Sequence, residues 1–213
     1  MGSCIIFCAG AFRQLVQEIE ADDLVIAADG GFLHTQQLGL TPQIILGDFD
    51  SLGFVPDGAV RFPVEKDDTD AVLAVRQGLQ RGFDRFVLYG TLEGPRLDHT
   101  VSNFQTLLYL ASQGAKGYLV GNNQIATLVK NGTLTFPAGC QGTVSVFAVG
   151  GQARGVTLEG LYYGLTDGTL TPDFPLGVSN HFTGGAATIG VKEGALLVIY
   201  DRNNALPGGH QNG

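Results

Sequence analysis

Residues 44–51 read Ile-Ile-Leu-Gly-Asp-Phe-Asp-Ser, an apolar run that ends in glycine and is followed by two carboxylates two positions apart. A short apolar run of this kind is typical of a buried parallel strand, and open α/β sheets bind their ligands at the carboxyl ends of such strands. In an extended backbone, Asp48 and Asp50 point to the same side of the chain. We therefore predict that this strand delivers both carboxylates to one site. The alternative is an acidic loop that binds nothing.

Converging carboxylates repel each other unless a hard cation lies between them, and Mg²⁺ is commonly held by one or two carboxylates together with substrate phosphates. A second acidic cluster, Lys66-Asp67-Asp68-Thr69-Asp70, follows downstream. Thr69 is well placed to cap a helix from Asp70 to Gln80, and acids in a first helical turn are favoured by the helix dipole. Three acids in four residues nevertheless exceed what capping requires.

Apolar runs alternate with helical patterns through the first 123 residues. This alternation predicts an α/β domain with a mostly parallel sheet over residues 1–123. The predicted strands, besides the one ending at Leu46, are Cys4–Gly10, Leu24–Ala28, Ala59–Val64, Arg85–Gly90 and Tyr118–Val120, and the other predicted helices are Phe12–Glu20, Phe32–Leu38 and Thr100–Ala111.

The pattern changes at residue 124, where strands are separated by Gly, Pro and Asn turns with little helical periodicity. This change predicts an all-β, sandwich-like C-terminal domain over residues 124–213. The predicted strands are Gln124–Phe136, Gly142–Val149, Gly155–Leu161 and Ala195–Tyr200. By itself, the polar strip from Gly177 to Gly184 is best interpreted as a hairpin loop.

Composition limits the classes of partner. The chain has 213 residues, of which 44% are hydrophobic and 15% charged, as in a folded protein. Its net charge of -8 repels nucleic-acid backbones and attracts cationic small molecules. We therefore expect no nucleic-acid partner.

Cys4 and Cys8 lie in one predicted strand, where their Cα atoms are roughly 13 Å apart, too far for a disulfide. The chain has three cysteines, which cannot all pair. We expect reduced core thiols. The first ten residues lack the basic segment of a signal peptide, and no apolar run approaches the ~18 residues of a membrane span. These features predict a cytoplasmic protein that does not bind membranes.

Two further segments are suited to phosphate binding. Asp29-Gly30-Gly31 follows a strand, and its glycines allow a close approach to a phosphate or ribose, although an ordinary βα turn has the same pattern. Arg96-Leu97-Asp98-His99 begins a helix, where the guanidinium can bind phosphate oxygens in a fork. A surface Arg–Asp ion pair is the alternative there. The Walker P-loop pattern is absent from the sequence.

Together these motifs resemble the thiamine pyrophosphokinase family. The family pattern is an Asp-Gly-Gly, a Gly-Asp-x-Asp-Ser, a Lys-Asp-x-Thr-Asp, an Arg-x-Asp-His and a late Ser-Asn. Here the five motifs stand in the family's order at 29–31, 47–51, 66–70, 96–99 and 179–180. The segment Gly155–Leu161 also resembles a family segment. Each motif is weak alone, but five in order across the chain are specific.

The resemblance implies transfer of a pyrophosphoryl group from ATP to the hydroxyl of thiamine, which gives thiamine diphosphate and AMP. It also implies Mg²⁺ and a homodimer with active sites at the subunit interface. By position, it implies that Asp48, Asp50 and Asp70 hold the metal and triphosphate, that Asp29, Gly30, Gly31, Gly90, Arg96 and His99 bind ATP, that Asp98 helps to orient the transferred group, and that Ser179 and Asn180 meet thiamine.

Physical chemistry is consistent with this reaction, since pyrophosphoryl transfer depends on positioning and on neutralising phosphate charge. A carboxylate within hydrogen-bond reach can accept the proton of the attacking alcohol, and Asp98 and Asp70 are both candidates. The family commonly has Gly-Gly before the Arg, whereas this chain has Gly94-Pro95. Proline removes a backbone N–H, so any phosphate contact made by that group is lost here.

Two other functions remain open from the sequence. A pyrophosphokinase for another small alcohol, such as a hydroxymethylpterin, would share the carboxylates and differ in the Ser179-Asn180 strip. A thiamine or nucleotide sensor would keep the fold and lose carboxylates, whereas Asp48, Asp50, Asp70 and Asp98 are all present.

Overall fold

A computed structural model of the chain describes residues 2–50, 52–61 and 68–211. The chain divides into two compact units, residues 1–122 and 123–213, which are described separately below. No helix in the described part of the chain is long and apolar enough to cross a membrane.

A parallel sheet forms the centre of the first unit. Its strands within the described residues are β1 (Cys4–Phe7), β2 (Leu24–Ala28), β3 (Ile44–Gly47), β4 (Val60–Arg61), β5 (Arg85–Tyr89) and β6 (Lys116–Val120). They lie in the order β6-β5-β1-β2-β3-β4, and every pair is parallel. All residues of β1 and β2 are buried, as expected for a parallel sheet covered on both faces. The strand order reverses between β1 and β5, which is where open α/β sheets bind ligands.

Three helices accompany this sheet in the described residues: α1 (Gly31–Gln37), α2 (Asp70–Gln80) and α3 (Leu97–Ser112). The predicted bounds of α2 are confirmed. Its predicted cap is confirmed as well, because the Thr69 hydroxyl accepts the N–H of Val72 at 3.3 Å. The predicted strand Ala59–Val64 is observed as β4, and residues 62–64 lie outside the described part.

The predicted helix Phe12–Glu20 is wrong, because this segment forms no helix. The ring of Phe12 instead packs edge-on against those of Phe7 and Tyr89, with centroids 5.6 Å apart in both pairs. The Tyr89 hydroxyl also accepts the N–H of Val16 at 3.1 Å. Phe12 therefore packs in an aromatic cluster, and the Tyr89 hydroxyl accepts the Val16 N–H in place of a helical backbone carbonyl.

Antiparallel strands form the second unit: β7 (Gln124–Phe136), β8 (Thr143–Glu159), β9 (Leu165–Leu170), β10 (Gly177–His181), β11 (Ala187–Asp201) and β12 (Gly208–Gln211). The order is β10-β8-β11-β7, with β9 paired to β8 and β12 to β7. A sandwich requires two packed sheets, whereas these strands pair continuously, so the sandwich-like arrangement stays a prediction.

Two details of the second unit differ from prediction. The predicted strands Gly142–Val149 and Gly155–Leu161 are one long strand, β8, because its internal glycines are accommodated by shifts in register against β11. The strip Gly177–Gly184, predicted as a loop, contains strand β10, which pairs with β8 despite its polar residues.

Candidate active site

Three carboxylates meet at the carboxyl ends of neighbouring strands. Asp29 follows β2, Asp48 follows β3, and Asp70 begins α2. Each offers an oxygen within 4.8 Å of the others, and all three side chains are half-buried. Like charges this close repel, and an all-oxygen donor set is what a hard divalent cation binds. The group is therefore a candidate metal centre.

Local backbone geometry brings Asp29 into this group. Its N–H donates to the Leu46 carbonyl at 2.8 Å, so the pairing of β2 with β3 continues one residue beyond β2. Asp29 has a φ of 49°, in the left-handed region that aspartate tolerates better than most residues. Gly47 permits the close approach, because a Cβ there would lie 3.2 Å from the Cβ of Asp29.

Asp50 lies outside the three-carboxylate group. The extended backbone assumed in the sequence analysis stops at Gly47, and the buried Phe49 has a φ of 62°. This turn leaves the Asp50 side chain exposed, while its N–H donates to Oδ1 of Asp48 at 3.2 Å. The expectation of an extended backbone from Asp48 to Asp50 is therefore wrong, and a metal-binding role for Asp50 stays a prediction.

Three motif residues lie outside the described part of the chain: Ser51, Lys66 and Asp67. Asp68, to which the sequence analysis assigns no role, forms an ion pair with Arg76 of α2. Asp68 thus has a structural partner in α2.

A cavity of about 340 Å³ lies in the first unit where the strand order reverses. Its volume falls in the range of small-molecule sites. Of the predicted ATP-binding residues, it is lined by Asp29, Gly90, Arg96 and His99, and Asp70 lines it as well. Gly30 and Gly31 do not line it, because they form the first turn of α1.

The wall between β1 and β5 is made of closely packed backbone. The N–H of Gly10 donates to the Gly90 carbonyl at 3.1 Å, and that of Ala11 donates to the Glu93 carbonyl at 2.8 Å. Gly90 has a φ of 70°, and a Cβ there would overlap the carbonyl oxygen of Cys8. No side chain fits at Gly90, so the close approach of the segment after β5 to the segment after β1 requires glycine at this position.

Arg96 and Asp98 form an ion pair at the start of α3. Nη2 of Arg96 lies 2.6 Å from Oδ2 of Asp98, and Nε lies 3.3 Å from Oδ1. The hydrogen bond from Arg96 lowers the pKa of Asp98, and the pairing raises the pKa of Arg96. Both side chains are 64% exposed. The guanidinium fork is therefore engaged by a carboxylate in a solvent-exposed ion pair, and the same fork geometry binds phosphates.

Two cavity residues were not found by sequence reasoning. The buried Asn103 donates its amide N–H to the Thr91 carbonyl at 2.8 Å, and the Glu93 carboxylate accepts the N–H of Asn122 at 2.5 Å. Asn103 is a polar residue one helical turn after His99, so its spacing was a usable signal. No pattern in the sequence marks Glu93.

Cys8 also lines the cavity, and burial raises the pKa of its thiol to about 12, with smaller contributions from Asp70 and Asp29. A thiol of this kind stays protonated at neutral pH and does not act as a nucleophile. Cys4, Cys8 and Cys140 are all free and buried, as predicted.

In the second unit, Ser179 and Asn180 lie on β10. Ser179 is exposed and has a φ of 57°. Asn180 is only 3% exposed, and its amide binds the backbone N–H and carbonyl of Tyr163. The two motif residues therefore have opposite environments, one open to solvent and the other buried.

Two family models match this chain, one after the other. The model described as thiamin pyrophosphokinase, catalytic domain, matches residues 15–119. The model described as thiamin pyrophosphokinase, vitamin B1 binding domain, matches residues 133–196. No curated protein sequence matches the chain significantly.

Solved structures with the same fold include a thiamine pyrophosphokinase from Bacillus subtilis, which is 23% identical over 93% of this chain and 98% of that chain, with a TM-score of 0.84. A thiamin pyrophosphokinase from Geobacillus thermodenitrificans is 26% identical over 94% and 97% of the two chains, with a TM-score of 0.78. The yeast thiamin pyrophosphokinase is 15% identical over 95% and 87%, with a TM-score of 0.70.

Proposed function

This chain belongs to the thiamin pyrophosphokinase family, and on that premise we propose that it transfers a pyrophosphoryl group from ATP to the hydroxyl of thiamine, giving thiamine diphosphate and AMP. The observation that carries the proposal is the meeting of Asp29, Asp48 and Asp70. Neutralising phosphate charge is the main requirement of this reaction, and a carboxylate group that holds Mg²⁺ supplies it.

The metal centre fits Mg²⁺, because its donors are carboxylate oxygens only and they lie close enough to share one cation. Asp29, Asp48 and Asp70 would hold the ion together with ATP phosphates. When bound, Mg²⁺ neutralises charge on the phosphate oxygens. Asp50 is kept as a proposed further ligand, because its exposed carboxylate is accessible to a metal–phosphate complex.

ATP is proposed to occupy the cavity of the first unit. Gly90 and His99 both line this cavity. Arg96 is proposed to bind phosphate oxygens with the fork that it now directs at Asp98. Gly30 and Gly31 contribute by holding the turn that follows Asp29.

The reaction forms a bond between the thiamine hydroxyl oxygen and the β-phosphorus of ATP. The bond from that phosphorus to the oxygen bridging the α- and β-phosphates breaks, and AMP leaves with that oxygen. The hydroxyl proton passes to a carboxylate, for which Asp70 and Asp98 are the proposed acceptors. Because Arg96 lowers its pKa, Asp98 is ionised at neutral pH and is a weak base.

Thiamine is proposed to bind through the second unit, where Ser179 is the exposed member of the Ser-Asn motif. A homodimer with active sites at the subunit interface is also proposed, and sedimentation at equilibrium tests it. The match to a vitamin B1 binding domain argues against a pterin as the acceptor alcohol.

Release of AMP tests this proposal. The native protein is mixed with ATP and Mg²⁺, with and without thiamine, beside the Asp48→Ala variant. We expect AMP only with thiamine and only from the native protein, while circular dichroism shows that the variant is folded. Native protein that binds thiamine but releases no AMP would be a sensor. Native protein that does not bind thiamine would act on another alcohol.

A further inference from the structure

An acidic side chain, Glu93, lines the cavity of the first unit and has no role in the proposed reaction. The residue is half-buried and lies in the segment between β5 and α3. Its carboxylate accepts the N–H of Asn122, which follows β6, at 2.5 Å. A carboxylate repels the phosphates of a nucleotide, so a nucleotide in this cavity meets Glu93 with a different part of its structure.

The segment that carries Glu93 is held on both sides by the protein. The Glu93 carbonyl accepts the N–H of Ala11, in the segment after β1, at 2.8 Å. The carbonyl of Leu92 accepts the hydroxyl of Thr100, in α3, at 3.3 Å. Together with the bond from Asn122, these contacts fix both the backbone and the carboxylate of Glu93 at the edge of the cavity.

The carboxylate also lies against the backbone of Gly121. A Cβ at this position would lie 2.7 Å from Oε2 and 2.9 Å from Oε1 of Glu93. The φ of Gly121 is outside the left-handed region, so the position requires glycine for space and not for conformation. The missing side chain at Gly121 therefore gives the carboxylate its room.

Glu93 and the metal centre lie toward opposite ends of the cavity. The sheet order is β6-β5-β1-β2, and Asp29 of the metal centre follows β2, whereas the Glu93 carboxylate is bound to the second residue after β6. Three strand spacings, roughly 14 Å, separate β6 from β2. A nucleotide that fills this cavity with its phosphates at the metal end therefore places its nucleoside toward Glu93.

We propose that Glu93 is a specificity-determining residue that binds the ribose hydroxyls of ATP. The proposal rests on the proposed function, which places ATP in this cavity. The 2′- and 3′-hydroxyls are donors, and a carboxylate has about four lone-pair sites, of which the N–H of Asn122 takes one. Carboxylates bind a ribose hydroxyl in dinucleotide-binding α/β folds as well. Glu93 thus selects ribonucleotides over deoxyribonucleotides.

Nucleotide affinities test the proposal. ATP, 2′-deoxy-ATP and 3′-deoxy-ATP are titrated calorimetrically into the native protein with Mg²⁺ and without thiamine. We expect ATP to bind about tenfold more tightly than either deoxy analogue, the effect of one hydrogen bond to a charged group. Glu93→Ala should reduce this ratio to about one. Equal affinities of the native protein for the three nucleotides would overturn the proposal.

The affinity ratio separates ribose recognition from a purely structural role. If Glu93 only holds the backbone at Asn122, its loss weakens the binding of all three nucleotides equally and the ratio is unchanged, which would overturn the proposal. Glu93→Gln keeps an oxygen for the Asn122 N–H and replaces a charged acceptor by a neutral one. We expect an intermediate ratio from it, and a native ratio would also contradict the proposal.

Gly121→Ala tests the position of the carboxylate without removing it. The added methyl group occupies the place of the Glu93 oxygens, so we expect this variant to lose the preference for ATP as Glu93→Ala does. Glu18→Ala is the matched control, because Glu18 is an exposed glutamate of the same unit that does not line the cavity. A native ratio in Gly121→Ala, or a reduced one in Glu18→Ala, would overturn the proposal.

Inosine triphosphate tests whether the carboxylate binds the base instead of the ribose. This nucleotide keeps both hydroxyls and lacks the amino group of adenine. We expect Glu93→Ala to leave the preference for ATP over inosine triphosphate unchanged. A loss of that preference with a native ratio for the deoxy analogues would assign Glu93 to the base and overturn the proposal.

The failure of this proposal is distinguishable from failure of the proposed function, because binding is measured without thiamine and needs no turnover. Native protein that prefers ATP over the deoxy analogues but releases no AMP with thiamine contradicts the function and leaves the ribose contact supported. Native protein with the same kcat/KM for ATP and both deoxy analogues contradicts only the role of Glu93.

Discussion

The metal centre of the first unit and the Ser179-Asn180 strand of the second use their motif residues in opposite ways. Asp29, Asp48 and Asp70 come from separate motifs, and their carboxylates converge beside a cavity. Asn180 comes from a motif too, but its side chain is buried and binds backbone groups of Tyr163 and His181. A motif therefore identifies residues that matter, while burial and hydrogen bonding decide whether they bind a ligand or hold another residue.

The first unit also contains a buried amide side chain that holds a neighbouring backbone segment. Asn103 is buried and binds the Thr91 carbonyl, as Asn180 binds that of Tyr163. Both amides hold the backbone of a neighbouring segment in their own unit. The converging carboxylates are thus placed to face a ligand, whereas the buried amides support the surfaces around it.

Removing a converging carboxylate is expected to have the largest effect. Asp48→Asn should lower kcat for AMP formation at least about a hundredfold, because the variant keeps the shape of the site and loses a charge that holds the metal. Without Mg²⁺, the same change should not destabilise the protein, since it removes repulsion among three like charges. Steady-state kinetics and urea unfolding measure the two effects.

Asp57→Asn is the control, because Asp57 is an exposed acid in the loop after β3 and, among the described residues, is not part of the three-carboxylate group. We expect native activity from it. Equal losses in both variants would show that overall charge, and not the metal centre, sets the rate.

The next largest effect is expected from substitution of Gly90, where the backbone approaches the Cys8 carbonyl closely beside the cavity. Gly90→Ala should lower the free energy of unfolding by more than about 2 kcal/mol, because a positive φ and an overlap with the Cys8 carbonyl act together. Gly39→Ala should cost only about 1 kcal/mol, since Gly39 has a similar φ of 66° but nothing within 4 Å. Urea unfolding measures both, and equal costs would refute the overlap.

The loss of a buried amide side chain is expected to have a smaller effect on the free energy of unfolding. Asn103→Ala should lower the free energy of unfolding by about 1–3 kcal/mol, because the Thr91 carbonyl loses its donor in a buried place. The KM for ATP should rise while the KM for thiamine stays constant. The reverse pattern is expected for Asn180→Ala, so an identical pattern in the two variants would contradict the comparison between the units.

At neutral pH the smallest effect is expected from the buried thiols, whose ionisation affects stability only in alkali. Burial raises the pKa of Cys4 and Cys8 from 9 to about 12 in the folded protein. Above pH 9 the unfolded chain therefore binds fewer protons than the folded one, so stability falls as pH rises toward 12. Unfolding by urea across this range should show a shallower fall for Cys8→Ala, and an unchanged slope would contradict the burial of that thiol.

Local signals in the sequence were sufficient to predict much of the secondary structure of the first unit. The apolar run Leu24–Ala28 has the bounds of β2, and Thr69 with the spacing of Val72, Val75 and Leu79 located α2 to the residue. These predictions succeed because each depends on residues within a few positions of one another. The helix predicted at Phe12–Glu20 failed where Phe12 packs against the distant rings of Phe7 and Tyr89, a contact that no local pattern contains.

The geometry of the site depends on the pairing of strands that are distant in sequence, which no short sequence pattern contains. Asp29 joins Asp48 through the parallel pairing of β2 with β3 and through its own positive φ. Asp50 is not part of the three-carboxylate group, because the chain turns at Phe49. Likewise, the inward orientation of Asn180 requires the strand pairing of β10 with β8 and the loop at Tyr163. Sequence spacing predicted the residue types, whereas tertiary structure decides their orientation.

The most direct measurement of the central claim follows the β-phosphorus of ATP. ATP labelled at the β-phosphate is incubated with the native protein, Mg²⁺ and thiamine, and the products are separated. The account predicts that the label appears in thiamine diphosphate, in equal amount to unlabelled AMP. Labelled ADP, or label that stays with the adenine nucleotide, would contradict pyrophosphoryl transfer by this chain.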